Sequence, residues 1–362
     1  MNKEFISDKQ GISIISLFII GSSIVLTIAG EAKKDIWIAI ILSILTALPI
    51  VLVHARLLVL FPKRDLYDVL ELVFGKLIGR GISILFVSFS FFLGGLVLRV
   101  FCDFIFTVSF QETPEIIPML FIGGLCIWAA KEGIEIIGRW AEFFLIGTIV
   151  SIFIVSLLAM HKMNINNIRP ILYEGIKPVV EGAFHAFIFP FTQTIVFTTF
   201  FSSLKNKSIY KVYIVSLLIG GGVLYISSVT NILTLGINTV ESVYFPTYTT
   251  ASRLTLGNVV EGLEVVISVT LLIGGFMKVC ICLLSTCNGI AKIFGLNDYR
   301  LMVTPIGLLI INLSYFIHDN VMEKAEFASD IYPIYAFPFQ VVLPIIILIV
   351  AEIKKNRLIK GE

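Results

Sequence analysis

The stretch FHAFIFPFTQ, residues 184–193, places a proline, a histidine and a glutamine near the centre of a run that otherwise reads as a membrane-crossing helix. In hydrocarbon every backbone N–H and C=O has to be satisfied within the protein, so an interruption there is either repaired by neighbours or put to use. Pro190 has no N–H, which leaves the Ala186 carbonyl without its helical donor, and its ring pushes Phe189 out of the α region. A second interruption lies in IIGSSIVL, residues 19–26. There Gly21 permits an irregular backbone, and Ser22 and Ser23 offer hydroxyls to the groups it releases.

Composition sets the frame for both. Of 362 residues, 57% are hydrophobic and 14% charged, and the mean hydropathy is +0.98. That is too apolar for a soluble domain, so the chain reads as an all-α integral membrane protein. At about 20 apolar residues per span, its length holds roughly ten helices. Apolar runs place them near 11–30, 36–60, 82–110, 115–130, 137–160, 179–201, 210–236, 259–291, 301–317 and 335–353, in a single transmembrane domain over 1–362. Between the second and third, Leu66, Val69, Leu70, Val73 and Leu77 recur at helical spacing among charges, the pattern of an interfacial helix. The N-terminus resembles a signal peptide superficially, but Glu4 and Asp8 precede a long apolar run, so a retained first span is expected.

Charge supports this count. With the N-terminus inside and ten spans, 18 of the 27 Lys and Arg residues fall on the cytoplasmic side and seven opposite, leaving Arg99 and Lys278 within spans. The excess favours cytoplasmic termini. A net charge of +2 implies no nucleic-acid partner. The five cysteines all lie in apolar runs without CxxC spacing and read as packing residues.

The two breaks occupy matching places, in spans 1 and 6, and spans 3 and 8 are both unusually long. Halves of five spans enter from opposite sides. The expected architecture is therefore a five-plus-five inverted repeat, with halves near 11–160 and 179–353 and broken helices 1 and 6, a pattern that points to a ligand site where the breaks cross. Freed amides at the start of one half-helix suit a carboxylate, and freed carbonyls at the end of another suit an ammonium. Together they match an α-amino acid. A plain proline kink, accommodated by neighbours, is the simpler alternative.

Candidate ligand-binding residues are Gly21, Ser22 and Ser23, then Phe189, Pro190, Phe191, Thr192 and Gln193, and, on span 8, Gly274 and Lys278. Lys278 lies too deep to snorkel, and a central lysine costs about 2.5–3.5 kcal/mol on insertion scales. Either it carries a fixed charge with a partner or it exchanges a proton. Gly274, Gly275, Cys282 and Ser285 make one face of its helix small or polar, which allows close approach of another helix. Arg99 and Asp103, at i and i+4 in span 3, form either an ion-coupling or gating pair, together with Lys278, or a self-neutralising structural one. His185 reads as a hydrogen-bonded packing residue. There is no GxSxG, HExxH or Walker loop, and the four histidines are scattered, so neither an enzyme nor a metal or cofactor site is expected.

Several stretches, in order, resemble the B subunits of bacterial spore germinant receptors, endospore-germination permeases related to amino acid, polyamine and organocation transporters. They are GSSIVL (21–26) with KKDIWIA (33–39), FPKRDLYDVLELVFGKLIGRGIS (61–83), LVLRVFCDFI (96–105) with QETP (111–114), KEGIEIIGRWAEF (131–143), NIRPILYEGIKPVVEGAF (167–184), FPFTQTIVF (189–197), LGINTVESVYFPTYTTASRL (235–254), and GGFMKVCICL (274–283) with AKIFGLNDYR (291–300). The resemblance implies a ten-span permease fold in the inner membrane of a spore, acting with a larger A subunit and a lipoprotein C subunit to sense nutrients. By position it assigns Gly21, Ser22 and Ser23 to the span 1 break, Phe189 to Gln193 to the span 6 break, and Lys278 to the region facing them, as a built-in charge where related transporters place a cation. Gln193 is neutral where many relatives carry an acid, which weighs against a proton relay there. Two readings follow: a receptor that signals when a small germinant binds, or a secondary amino-acid permease coupled to protons or cations. A ligand-gated passage is a third, and fold analogy does not separate them.

Overall fold

The structure, a computed structural model, describes residues 5–360 apart from 25, 111, 201–203, 205–207, 255–261 and 319. Val25 of the first break, and the expected span ends at 201 and 259–261, thus lie outside the described residues. Among the described residues the chain is helical, with no strand.

Helix α1 (Asp8–Ile20) starts at a capping box: Ser7 Oγ accepts from the Gln10 N–H, and Gln10 Oε1 accepts from the Ser7 N–H. It stops at Gly21, whose φ of −8° and ψ of −113° are not helical. A 3₁₀ turn at Gly30–Asp35 then leads into α2 (Ile36–Leu60). Helix α3 (Leu66–Phe74) is capped by Asp65, whose carboxylate accepts from the Asp68 N–H at 2.9 Å. Burial, with the Asp68 carboxylate beside it, holds the Asp65 carboxyl above the usual carboxylate range, against the opposing pull of Lys292 and Asn288. Leu66, Val69, Leu70 and Val73 are buried as the periodicity predicts, but Leu77 is 89% exposed. Gly75, at a φ of +82°, ends α3 and resets the helical phase before Leu77, which belongs to the next helix.

That helix, α4 (Lys76–Val108), is followed by α5 (Ile116–Glu132), α6 (Ile134–Ala159) and α7 (Lys177–Ile188). Beyond the break at Phe189 and Pro190 the chain continues as nine residues of 3₁₀ helix, Phe191–Thr199. Runs of that length are uncommon, because 3₁₀ hydrogen bonds are poorer than α-helical ones, and they mark hinges or strained segments. Helices α8 (Ile209–Leu235), α9 (Ile237–Ser242), α10 (Pro246–Ser252), α11 (Leu263–Phe294) and α12 (Arg300–Phe316) follow. The last long stretch runs through α13 (Val321–Glu326), α14 (Tyr332–Phe337) and α15 (Leu343–Lys360), with π turns at Phe327–Ile331 and Pro338–Val342 between them.

Among the described residues, seven helical stretches are long and apolar enough to cross a membrane. The ten expected runs exceed that number for a physical reason. The break shortens α1 to 13 residues, and α5 and α12 have 17 each. Helix α11 packs along α4 and also meets α1, α5 and α12, so Lys278 sits within the bundle. All five cysteines are buried and free.

One end of α11 carries a fully partnered polar seam. Ser285 Oγ is 2.9 Å from both Ser90 Oγ and Thr199 Oγ1, and the Tyr67 hydroxyl donates to the Ser285 carbonyl at 3.2 Å. Asn288 Nδ2 donates to the Thr199 carbonyl at 2.5 Å, and Lys292 Nζ lies 2.6 Å from Asp68 and 3.4 Å from Asp65. These contacts tie α3, α4 and the 3₁₀ half of the broken helix to α11.

Candidate functional site

The first break and α11 meet backbone to backbone. A Cβ on Gly274 would lie 2.9 Å from Gly21 Cα, and one on Gly21 would lie 3.1 Å from the Gly274 carbonyl oxygen and 3.2 Å from Lys278 Cδ. Only glycine at both positions permits this approach, which carries the lysine stem past the C-terminal end of α1. Cations are favoured at that end, where carbonyls lack intrahelical donors.

Lys278 is 0% exposed. Its ammonium lies 4.9 Å from the centroid of the Phe18 ring and 4.6 Å from that of Phe189, and Nζ has no hydrogen-bond partner among the described residues. Two ring faces offset part of the desolvation, each by about 2 kcal/mol. They offer no lone pair to an ammonium with three N–H donors.

Among the described residues, three buried polar atoms on the two breaks are also unpartnered: Ser22 Oγ, Ser23 Oγ and Gln193 Oε1. Other side-chain groups of the second break are bonded. Thr192 Oγ1 donates to the Phe187 carbonyl at 2.9 Å, taking up a carbonyl the break releases, and it also lies 2.6 Å from Gln340 Oε1. Gln193 Nε2 donates to the Tyr332 hydroxyl at 2.5 Å. His54 Nε2 is 2.9 Å from the Gln340 carbonyl, which can only accept, so in the neutral ring Nδ1 accepts from Thr194 Oγ1 at 2.9 Å. In the first break, the Ile24 carbonyl is taken up by Thr247 Oγ1 at 2.9 Å, and Asn231 in turn donates to Thr247 at 3.0 Å.

Of the residues expected from sequence, Gly21, Gly274, Lys278 and Phe189 thus converge. Ser22 and Ser23 continue the first break, and Thr192 and Gln193 reach toward the last helical stretch. Phe189 and Phe191 part company: Phe189 lines a cavity of about 340 Å³ together with Ser22, while Phe191 is fully buried in the core and Pro190 is buried beside it. Arg99 and Asp103 belong to a charge cluster of their own. They are 2.9 Å from each other, Arg99 also pairs with Glu115 at 3.1 Å, and Lys324 Nζ lies 2.6 Å from Asp103, giving a cluster of two cations and two carboxylates. His185, expected as a packing residue, bonds the Glu31 carboxylate through Nδ1.

Phe18, Tyr332, Gln340 and His54 were not singled out by sequence reasoning. A signal for one of them is present: FPF recurs at Phe337–Phe339, directly before Gln340, and repeats the Phe189–Phe191 motif to which Gln340 is bonded through Thr192.

Two broken helices crossing beside a long central helix define a membrane transporter fold. The solved structure of Mhp1, a nucleobase-cation-symport-1 family transporter, matches with a TM-score of 0.73 over 95% of this chain and 77% of that one, at 11% identity. MhsT in complex with L-phenylalanine matches with a TM-score of 0.62 over 97% and 99%, at 12% identity. Within that fold the chain belongs to the spore germination protein family, whose pattern matches residues 5–322. Spore germination protein KB of Bacillus subtilis (strain 168) is 27% identical over 370 residues, covering 100% of this chain and 98% of that protein. The protein is therefore a multi-pass membrane protein of receptor or transporter type.

Proposed function

We propose that this chain is the membrane subunit of a spore nutrient germinant receptor. A small germinant, an amino acid, binds where the two broken helices cross and shifts the helix packing that partner A and C subunits read. In this reading residues 1–362 form one permease-like domain of ten spans, in two inverted halves, in the spore inner membrane with both termini cytoplasmic. The observation that carries it is the set of four unpartnered buried atoms, Ser22 Oγ, Ser23 Oγ, Gln193 Oε1 and Lys278 Nζ, all on residues of the breaks or facing them. Buried polar groups are normally paired, and an orphan cation is the most costly of them. A carboxylate answers Lys278, and an ammonium answers the amide oxygen and hydroxyls. Signalling then requires that the ligand bind one helix arrangement better than another.

A thermal-shift screen of purified protein against amino acids and sugars tests this. One or more amino acids are expected to raise the melting temperature; stabilisation by sugars alone would overturn it. Likeness to two transporter structures favours one alternative, a secondary amino-acid permease coupled to protons or cations. Accumulation of the labelled hit against a gradient by proteoliposomes would select that alternative.

A further inference from the structure

The cavity of about 340 Å³ is separated from Lys278 by the Phe189 ring, which contributes to both. Its size falls in the range of small-molecule pockets, roughly 300–1,000 Å³. Phe189, Phe245, Phe327 and Tyr332 supply aromatic wall, and Val97 and Val100 of α4 supply aliphatic wall.

The polar groups on this wall are unequally committed. Lys324 reaches it, but its ammonium is held 2.6 Å from Asp103 within the formally neutral cluster of Arg99, Asp103, Glu115 and Lys324. Glu31 gives one carboxylate oxygen to His185, and its second oxygen, Oε2, has no hydrogen-bond partner among the described residues. His318, 5% exposed, also lines the cavity, and its Nε2 is unpartnered, as is Ser22 Oγ. The carboxylate with spare acceptor capacity is therefore Glu31, set among aromatic rings. That combination is the recognition chemistry of an organic cation, with a carboxylate for the N–H donors and ring faces for the charge.

We propose that this cavity is a second ligand site, distinct from that of Lys278, which takes an organic ammonium ion with a compact apolar body. The ammonium donates to Glu31 Oε2, with His318 on the same wall, and the body packs on the rings and on Val97 and Val100. An anionic ligand would instead face Glu31 and reach Lys324 only by displacing Asp103 from a buried pair.

The test uses three probes of equal shape: isoamylammonium, 4-methylpentanoate and isoamyl alcohol. Each is titrated calorimetrically into the purified full chain in detergent, with empty micelles as reference. Isoamylammonium is expected to bind at least tenfold more tightly than the other two. Glu31→Gln should remove that preference, Val100→Phe should fill the cavity and weaken binding at least tenfold, and Lys278→Met should change the affinity less than threefold. Equal or tighter binding of the carboxylate or the alcohol, or no binding of the ammonium probe, overturns the proposal. So does a tenfold loss in Lys278→Met, which would place the probe in the first site. Should Glu31→Gln fail to fold, Val100→Phe and the three-probe ranking decide.

Discussion

Two polar clusters share helix α11 and differ in how completely they are satisfied. Around Ser285, Asn288 and Lys292, hydroxyl, amide and ammonium each have partners, at 2.5–2.9 Å for the shortest contact of each. Two turns away, Lys278 has two aromatic faces and no acceptor, and Ser22, Ser23 and Gln193 each keep an unpartnered atom. A satisfied buried network holds elements together, whereas a half-satisfied one costs stability and persists where something else completes it. The first cluster ties helices to one another. The second is the site proposed for the ligand.

The largest effect is expected where the site is assembled. Gly274→Leu would drive side-chain atoms into Gly21 backbone that has no room to yield, so it should cost about 3 kcal/mol and abolish ligand-induced stabilisation. Melting of the purified variant, with and without the amino acid found by screening, checks this; a normal response would separate the Gly21–Gly274 contact from the site. In the satisfied cluster, Asn288→Ala leaves the Thr199 carbonyl without its donor and should cost about 1–3 kcal/mol. Ligand affinity of the folded fraction should stay within threefold, and a larger loss would mean that the two clusters are not separable. The smallest stability change is expected for Ser22→Ala, within about 0.5 kcal/mol, because the hydroxyl has no partner to lose. Its affinity for the ligand should nonetheless fall about fivefold, the equivalent of about 1 kcal/mol. Equilibrium binding and melting on the same preparation give both numbers.

Much of this contrast is legible in the chain. The apolar run expected at 36–60 coincides with α2, those at 210–236 and 301–317 are shifted by one residue from α8 and α12, and the helices stop where Gly21 and Pro190 predict. These features are local, set by hydropathy and by residues whose backbone preferences act on their own neighbours. Lys278 stood out because an ammonium among apolar residues needs an explanation. Thr199 did not, since hydroxyls within helices commonly bond their own backbone, and its pairing with Ser285 joins residues 86 apart in sequence. Gln340 and Tyr332, which hold the second break, come from a stretch 139 to 148 residues further on. Which phenylalanine of FPF faces the cavity depends on the 3₁₀ winding after Pro190, and composition carries no trace of it.

The central claim is that Lys278 is kept for a ligand and contributes nothing to the stability of the fold. Lys278→Met tests it most directly, with melting measured in the presence and absence of the amino acid hit. Replacing an unpaired buried ammonium by an apolar chain of similar volume should leave the unliganded melting temperature unchanged or raise it, and should remove the ligand-induced shift. A variant that melts several degrees lower, or that keeps the shift of the parent chain, would contradict the account.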